Sequence, residues 1–129
     1  MAYEVVDPYG EDPLPDRPCE THAITGQRGA EGRFRTLGVR VYDVEPGEQM
    51  PLKYHYHEKQ EEAFYVLDGE LHVETPEGEF VAAEGELFLA EPGNPHRAFN
   101  PDDAAGPIRV LAMGAPSSDP GKAYDPDAE

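Results

Sequence analysis

An all-β sandwich or barrel is the fold class this sequence predicts. Three observations carry it. Short runs of alternating or β-branched residues recur, turn chemistry separates them at intervals of roughly 8 to 12 residues, and no window holds a convincing helical period of about 3.6 residues. Gly, Pro and acidic side chains interrupt every stretch long enough for a helix. A barrel or double sheet of about eight strands leaves an interior that can hold a small ligand or a metal.

In chain order, residues 1–20 come first and are rich in Pro, Asp and Glu (Asp7-Pro8, Asp12-Pro13-Leu14-Pro15). They read as an irregular or strand-like arm, because each proline removes a ladder donor. A single barrel domain is expected over residues 21–114. Its first predicted strand, 34–44, alternates tolerably and stops at Glu45-Pro46-Gly47. Next come 54–57, which carries a His-x-His pair, and 63–67, closed by Asp68-Gly69. In 71–75 Leu71 and Val73 take the apolar face, and Pro76-Glu77-Gly78 turns the chain into 79–83. Strands at 87–90, 96–100 and 108–113 follow, separated by Glu91-Pro92-Gly93-Asn94-Pro95 and Asn100-Pro101-Asp102-Asp103. Residues 115–129 are again polar and proline-containing and read as a surface tail.

At 129 residues the chain is one small domain, long enough to bury a core without disulfide or metal staples. Its single cysteine, Cys19, makes no intrachain disulfide and is expected to be a spectator thiol. No apolar run approaches the roughly 18 residues of a membrane span, and Met1-Ala2-Tyr3-Glu4 lacks the basic and apolar regions of a signal peptide. A cytoplasmic protein without membrane contact is the expectation. Twenty-seven acidic residues face ten basic ones, for a net charge of -17, so the basic footprint of a nucleic-acid binder is absent. Acid spread along the whole length, with arginine favoured over lysine, resembles the proteins of salt-accumulating halophilic archaea. In molar salt the Debye length falls to about 3 Å and repulsion between carboxylates is screened.

The chemistry-bearing text is His55-Tyr56-His57-Glu58-Lys59-Gln60-Glu61-Glu62, with His96 downstream. A His-x-His pair on a β-strand sends both imidazoles to one face, because side-chain direction repeats every two residues. A carboxylate from the next strand and a third imidazole from a distant one can complete a metal site. Neutral imidazole and carboxylate suit a single divalent transition metal such as Zn, Fe, Mn, Ni or Cu.

Gly47, His55, His57, Glu62 and Gly69 resemble the first motif of the cupin superfamily: glycine, spacer, His-x-His, three or four residues, Glu, six residues, Gly. The six-residue gap from Glu62 to Gly69 selects Glu62 over Glu61 as the ligand carboxylate. The run from Gly85 to Asn100 resembles the second motif, with Pro92, Gly93, His96 and Asn100 in place. Two departures stand out. Seven residues separate Gly47 from His55 where five are usual, and Glu91 replaces the motif's first proline. The resemblance covers residues 34–114 and implies a small single-domain cupin of the conserved-barrel type, a jelly-roll-like double-stranded β-helix. It implies His55, His57, Glu62 and His96 as metal ligands, with one or two positions open to water or substrate.

The expectation for function is a small metal-dependent enzyme of oxygenase, isomerase or lyase type, acting on a small organic molecule in the barrel. Glu62 doubles there as a candidate catalytic base. A non-catalytic binding module is the alternative, because a shared fold does not select a reaction. A homodimer is the expected assembly, as small cupins often pair. Lys53, Arg40 and Tyr42 are candidate rim or substrate contacts. His22 and His72 read as surface residues, and Phe64, Val66 and Phe88 as core.

Overall fold

The computed structural model describes residues 3–25, 34–51 and 53–128; the outermost residues of both terminal segments and 26–33 lie outside the described residues. Among the described residues ten strands follow one another: β1 (Glu20–Thr25), β2 (Gly38–Val44), β3 (His55–Tyr56), β4 (Glu61–Asp68), β5 (Glu70–Thr75), β6 (Gly78–Ala83), β7 (Leu87–Ala90), β8 (Arg97–Phe99), β9 (Ile108–Ala115) and β10 (Lys122–Ala123). No helix occurs among the described residues, and so none that is long and apolar enough to cross a membrane.

All strand pairs are antiparallel. One sheet runs β1-β2-β9-β4-β7, a second runs β6-β5-β8, and β3 pairs with β10. The chain therefore passes between sheets after β4, after β6, and on either side of β8, the winding of a double-stranded β-helix. Each passage needs a corner. At Asp68-Gly69 the glycine has φ +86, and a Cβ there would lie 2.5 Å from Ile108 Cγ2. Only glycine accepts both the backbone conformation and the close approach. After β6 the positive φ recurs at Gly85, +85, there with open space where a Cβ would sit.

Alternation places the core. On β4 Phe64 and Val66 are buried, on β5 Leu71 and Val73, and on β9 Ile108, Val110 and Ala112. These side chains meet between the sheets in one cluster with Tyr42, Val44, Met50, Ala82 and Ala98. Val44, Val66, Val73 and Val110 lose all exposure, each such burial stabilising the fold by about 1.5–3 kcal/mol. Phe88 packs against the cluster half-buried. Asn100 is buried too, donating from Nδ2 to Val44 O and Gly106 O at 3.0 Å each, so it ties the end of β8 to two neighbouring segments.

Several boundaries differ from the sequence reading. β2 begins only at Gly38, because Phe34 takes a positive φ of 51 and Leu37 is exposed, leaving no face to bury. β1 was not foreseen. Its Thr21 faces the core beside Cys19, whereas His22 turns to the outer face and is nonetheless buried, 5% exposed. The cover is the N-terminal arm: the Tyr9 ring sits 4.5 Å from the His22 ring, and its hydroxyl donates to Asp43 Oδ2 at 2.8 Å. His22 is thus an arm-covered residue outside the barrel interior. His72 is half-buried, 3.1 Å from Glu79 Oε2. Polar residues 116–124 dock back onto the barrel, where β10 pairs Lys122 with Tyr56 and Ala123 with His55.

Candidate metal centre

Three strands and their flanks deliver the four residues singled out in the sequence. His55 opens β3, His57 follows directly after it, Glu62 is the second residue of β4, and His96 precedes β8. His55 and His96 face each other in an isolated bridge, exchanging main-chain hydrogen bonds of 3.1 and 2.9 Å. Met50 N bonds Ala98 O one bridge earlier. Five residue steps on the histidine strand therefore match two on its partner, and this bulge absorbs the long spacing after Gly47. The His55 and His96 rings there lie with centroids 4.8 Å apart and planes tilted by 59°. His57 stands edge-on to His55 at 5.0 Å.

One ring nitrogen from each of His55 and His57 and one carboxylate oxygen of Glu62 all lie within 4.8 Å of one another. His96 lies outside that group but close to it, its Nε2 2.9 Å from Glu62 Oε1, which is also 3.7 Å from His57 Nε2. All four side chains are largely or wholly buried.

Whether these residues suit a metal depends on where their lone pairs point. His55 Nδ1 is 2.7 Å from Lys53 O, His57 Nδ1 3.0 Å from Asp119 O, and His96 Nδ1 2.9 Å from Asn94 O. A carbonyl oxygen only accepts, so every Nδ1 carries the proton. Each neutral ring then keeps its lone pair on Nε2, the arrangement that fixes tautomer and orientation in metal-ligating histidines. In addition, Glu62 Oε1 and His96 Nε2 are buried without a hydrogen-bond partner of acceptable geometry, although they face each other closely. Orphaned buried polar atoms of this kind are costly, and a cation between them satisfies both. The donor set fits a divalent transition ion.

Electrostatics within the cluster is asymmetric. Burial pushes the Glu62 carboxyl up, but the adjoining His96, then His57 and His55, outweigh it and hold the group below its ordinary value. Burial presses His96 down, yet Glu62 lifts it above the usual imidazole range. His55 is held low, mainly by burial. Cys19 stays apart, its thiol pushed up to about 12 by burial, which leaves it a core side chain with no nucleophilic character near neutrality.

A cavity of about 250 Å³ opens onto this cluster. His55, His57 and Glu62 form its floor, and Arg40, Tyr42, Met50, Gln60 and Met113 its sides. Arg40 and Tyr42 thus reach the interior, whereas Lys53 is exposed outside it. Gln60 was not foreseen as a contact. Its side chain fits because residue 114 is glycine; a Cβ there would come 2.7 Å from Gln60 Oε1. His96 also lines a separate cleft with Phe88 and Ala90.

Comparison with known proteins agrees with this fold. A polyketide cyclase, RemF from Streptomyces resistomycificus, superposes with a TM-score of 0.74 over 95% of this chain and 86% of its own, at 18% identity. A cupin 2 domain-containing protein from Halorhodospira halophila gives 0.69 over 83% and 70%, at 17% identity. A sugar phosphate isomerase of the cupin superfamily from Silicibacter pomeroyi is 30% identical, with a TM-score of 0.57 over 65% of this chain; the chain spans only about half, 53%, of that protein. Among curated proteins, none matches this chain in sequence. The family described as "Cupin domain" matches residues 40–114. That span is more than half of the sequence and runs through the barrel from β2 into β9, and on that footing this chain belongs to the cupin family.

Proposed function

We propose that the protein is a small metal-dependent enzyme whose barrel cavity binds a small polar organic molecule beside His55, His57, Glu62 and His96. One observation carries the metal: all three imidazoles have their Nδ1 committed to main-chain carbonyls, so three Nε2 lone pairs and the Glu62 carboxylate remain for one ion. A bound divalent ion would polarise a carbonyl or enolate oxygen of the substrate. Isomerase-type chemistry is the subclass we favour, supported by the 30% identity to a sugar phosphate isomerase.

The chain's own residues supply the rest. Glu62, ionised through its imidazole neighbours, is placed to hold the ion or to take a proton from substrate carbon. Arg40, Tyr42 and Gln60 on the cavity sides can orient a polar substrate, while Met50, Phe64 and Met113 exclude water from its apolar portion. A cavity of about 250 Å³ limits the substrate to a small molecule.

Elemental analysis of protein purified without a polyhistidine tag tests the reading, beside a His57→Ala/His96→Ala double variant. Near-stoichiometric metal in the parent and its loss in the variant is expected; a parent that holds none after reconstitution with Zn, Fe, Mn or Ni overturns it. Catalysis is tested separately by assaying the loaded protein against small aldoses, ketoses and 2-oxo acids. Saturable binding without turnover would reassign the barrel to a non-catalytic binding role.

A further inference from the structure

Two of the three histidines orient themselves. His55 donates to the carbonyl of Lys53 and His96 to that of Asn94, each only two residues back along the same strand entry. His57 differs: its acceptor is the carbonyl of Asp119, 62 residues later in the chain. The same residue reaches forward with its side chain, where Asp119 Oδ2 accepts from Lys59 N at 2.7 Å and Gln60 N at 3.0 Å. Those two amides form the turn that links His57 to the strand of Glu62. Asp119 therefore holds one ligand by its main chain and the spacing between two ligands by its carboxylate.

The segment around it is built to keep that position. Pro120 follows, and a residue before proline is confined to extended conformations, which fixes the direction of the Asp119 carbonyl. Upstream, Gln60 Nε2 donates to Pro116 O at 2.9 Å, and Ser117 N donates to Thr36 O at 2.8 Å. Downstream, β10 pairs with β3, Tyr124 N bonds Tyr54 O at 3.0 Å, and the two tyrosine rings meet at 4.9 Å. Ser117, Asp119 and Gly121 also line the cavity, so residues 116–124 are one of its walls.

We infer that residues 116–124 are a strap belonging to the metal centre, with Asp119 as the positioning residue that sets the orientation of His57 and the His57–Glu62 spacing. The inference rests on the metal reading proposed above. It adds that metal affinity and docking of the C-terminal strap are coupled, and thermodynamic linkage makes that coupling reciprocal. A metal-loaded protein holds its strap more tightly, and a protein whose strap is loosened binds metal more weakly.

The test uses the full chain as wild type, D119A, D119N and K122A. Lys122 pairs with Glu58 at the exposed outer side of the same strap, and its loss leaves His57 untouched. Zn2+ affinity is measured by competition with a chromophoric chelator, and the His57 tautomer of the metal-free protein is read by 15N NMR. D119A keeps the carbonyl that His57 faces but removes the carboxylate that anchors it to Lys59 N and Gln60 N, and the loss of that anchor is expected to weaken Zn2+ binding by about 10-fold, the lower end of what losing an orienting partner outright costs. It should also mix the His57 tautomers while His55 and His96 keep theirs. D119N retains an oxygen acceptor for the two amides and should restore most of both signals, and K122A should match wild type. A D119A protein with wild-type Zn2+ affinity and an unaltered His57 overturns the strap inference and leaves the metal reading intact. If no form binds Zn2+ yet His57 still depends on Asp119, the metal reading falls and the positioning role stands.

Discussion

Glu62 and His96 pull each other's ionisation in opposite directions, and the signs fix a pH dependence. A carboxyl held below its ordinary value of 4.5 stabilises the fold above that value and ceases to do so as pH falls through its folded pKa. An imidazole lifted above 6.5 stabilises the fold below that value and ceases to do so as pH rises through its folded pKa. Both contributions are present together between about 4.5 and 6.5. In the metal-free protein, the stability gap between wild type and Glu62→Gln is therefore expected to be widest in that window and to narrow on either side. Urea denaturation across pH measures it, and a gap independent of pH would show that the pair is not coupled. At this scale the candidate ligands were legible in the sequence, since His55, His57, Glu62 and His96 follow a local spacing. Their orientation was not. The acceptors that fix the three imidazoles are main-chain carbonyls, and a carbonyl leaves no trace in composition. Nothing in Ser118-Asp119-Pro120 marks Asp119 as a neighbour of His57; only the return of the chain brings them together.

Among the elements, strands with a clear two-residue alternation were the readable ones, and their turns were readable from Gly, Pro and Asp. What the sequence left open was which turns join neighbours and which change sheets. Thr75-Pro76-Glu77-Gly78 joins β5 and β6 side by side, whereas Asp68-Gly69 and Glu84-Gly85 carry the chain from one sheet to the other. Both kinds look alike as text, because each carries a glycine at positive φ, +121 at Gly78 against +86 at Gly69 and +85 at Gly85. β1 escaped notice because its inward face offers little more than Thr21, and β10 because two residues show no period. The corner glycine gives a test of this account. Gly69→Ala forces a side chain into the left-handed region and against Ile108, and should destabilise the protein by more than about 1 kcal/mol. Chemical denaturation measures it. A variant as stable as wild type would mean that the corner relaxes freely and does not define the passage between sheets.

The whole molecule carries a net charge of -17 on a domain whose radius of gyration should be about 14 Å. At about 0.01 M ionic strength the Debye length is about 30 Å, so every carboxylate feels the others across the full domain. At about 1 M it is about 3 Å, and only contacting charges interact. Salt has an opposing effect, because it also weakens favourable pairs such as Arg109–Asp43 and Arg97–Glu74. Those pairs are few and at least partly exposed, where each contributes about 0–1 kcal/mol, so relief of repulsion should win. We propose that the acidic surface is an adaptation to high salt, and the shape of the melting curve against KCl separates it from an ordinary acidic protein. Plain screening saturates within the first few tenths of a molar, once the Debye length is shorter than the spacing between surface carboxylates. A surface adapted to salt should keep raising the melting temperature up to molar KCl. A plateau at low salt would leave the charge as a solubility device, and a melting temperature that falls with salt would mean that the few ion pairs outweigh the repulsion.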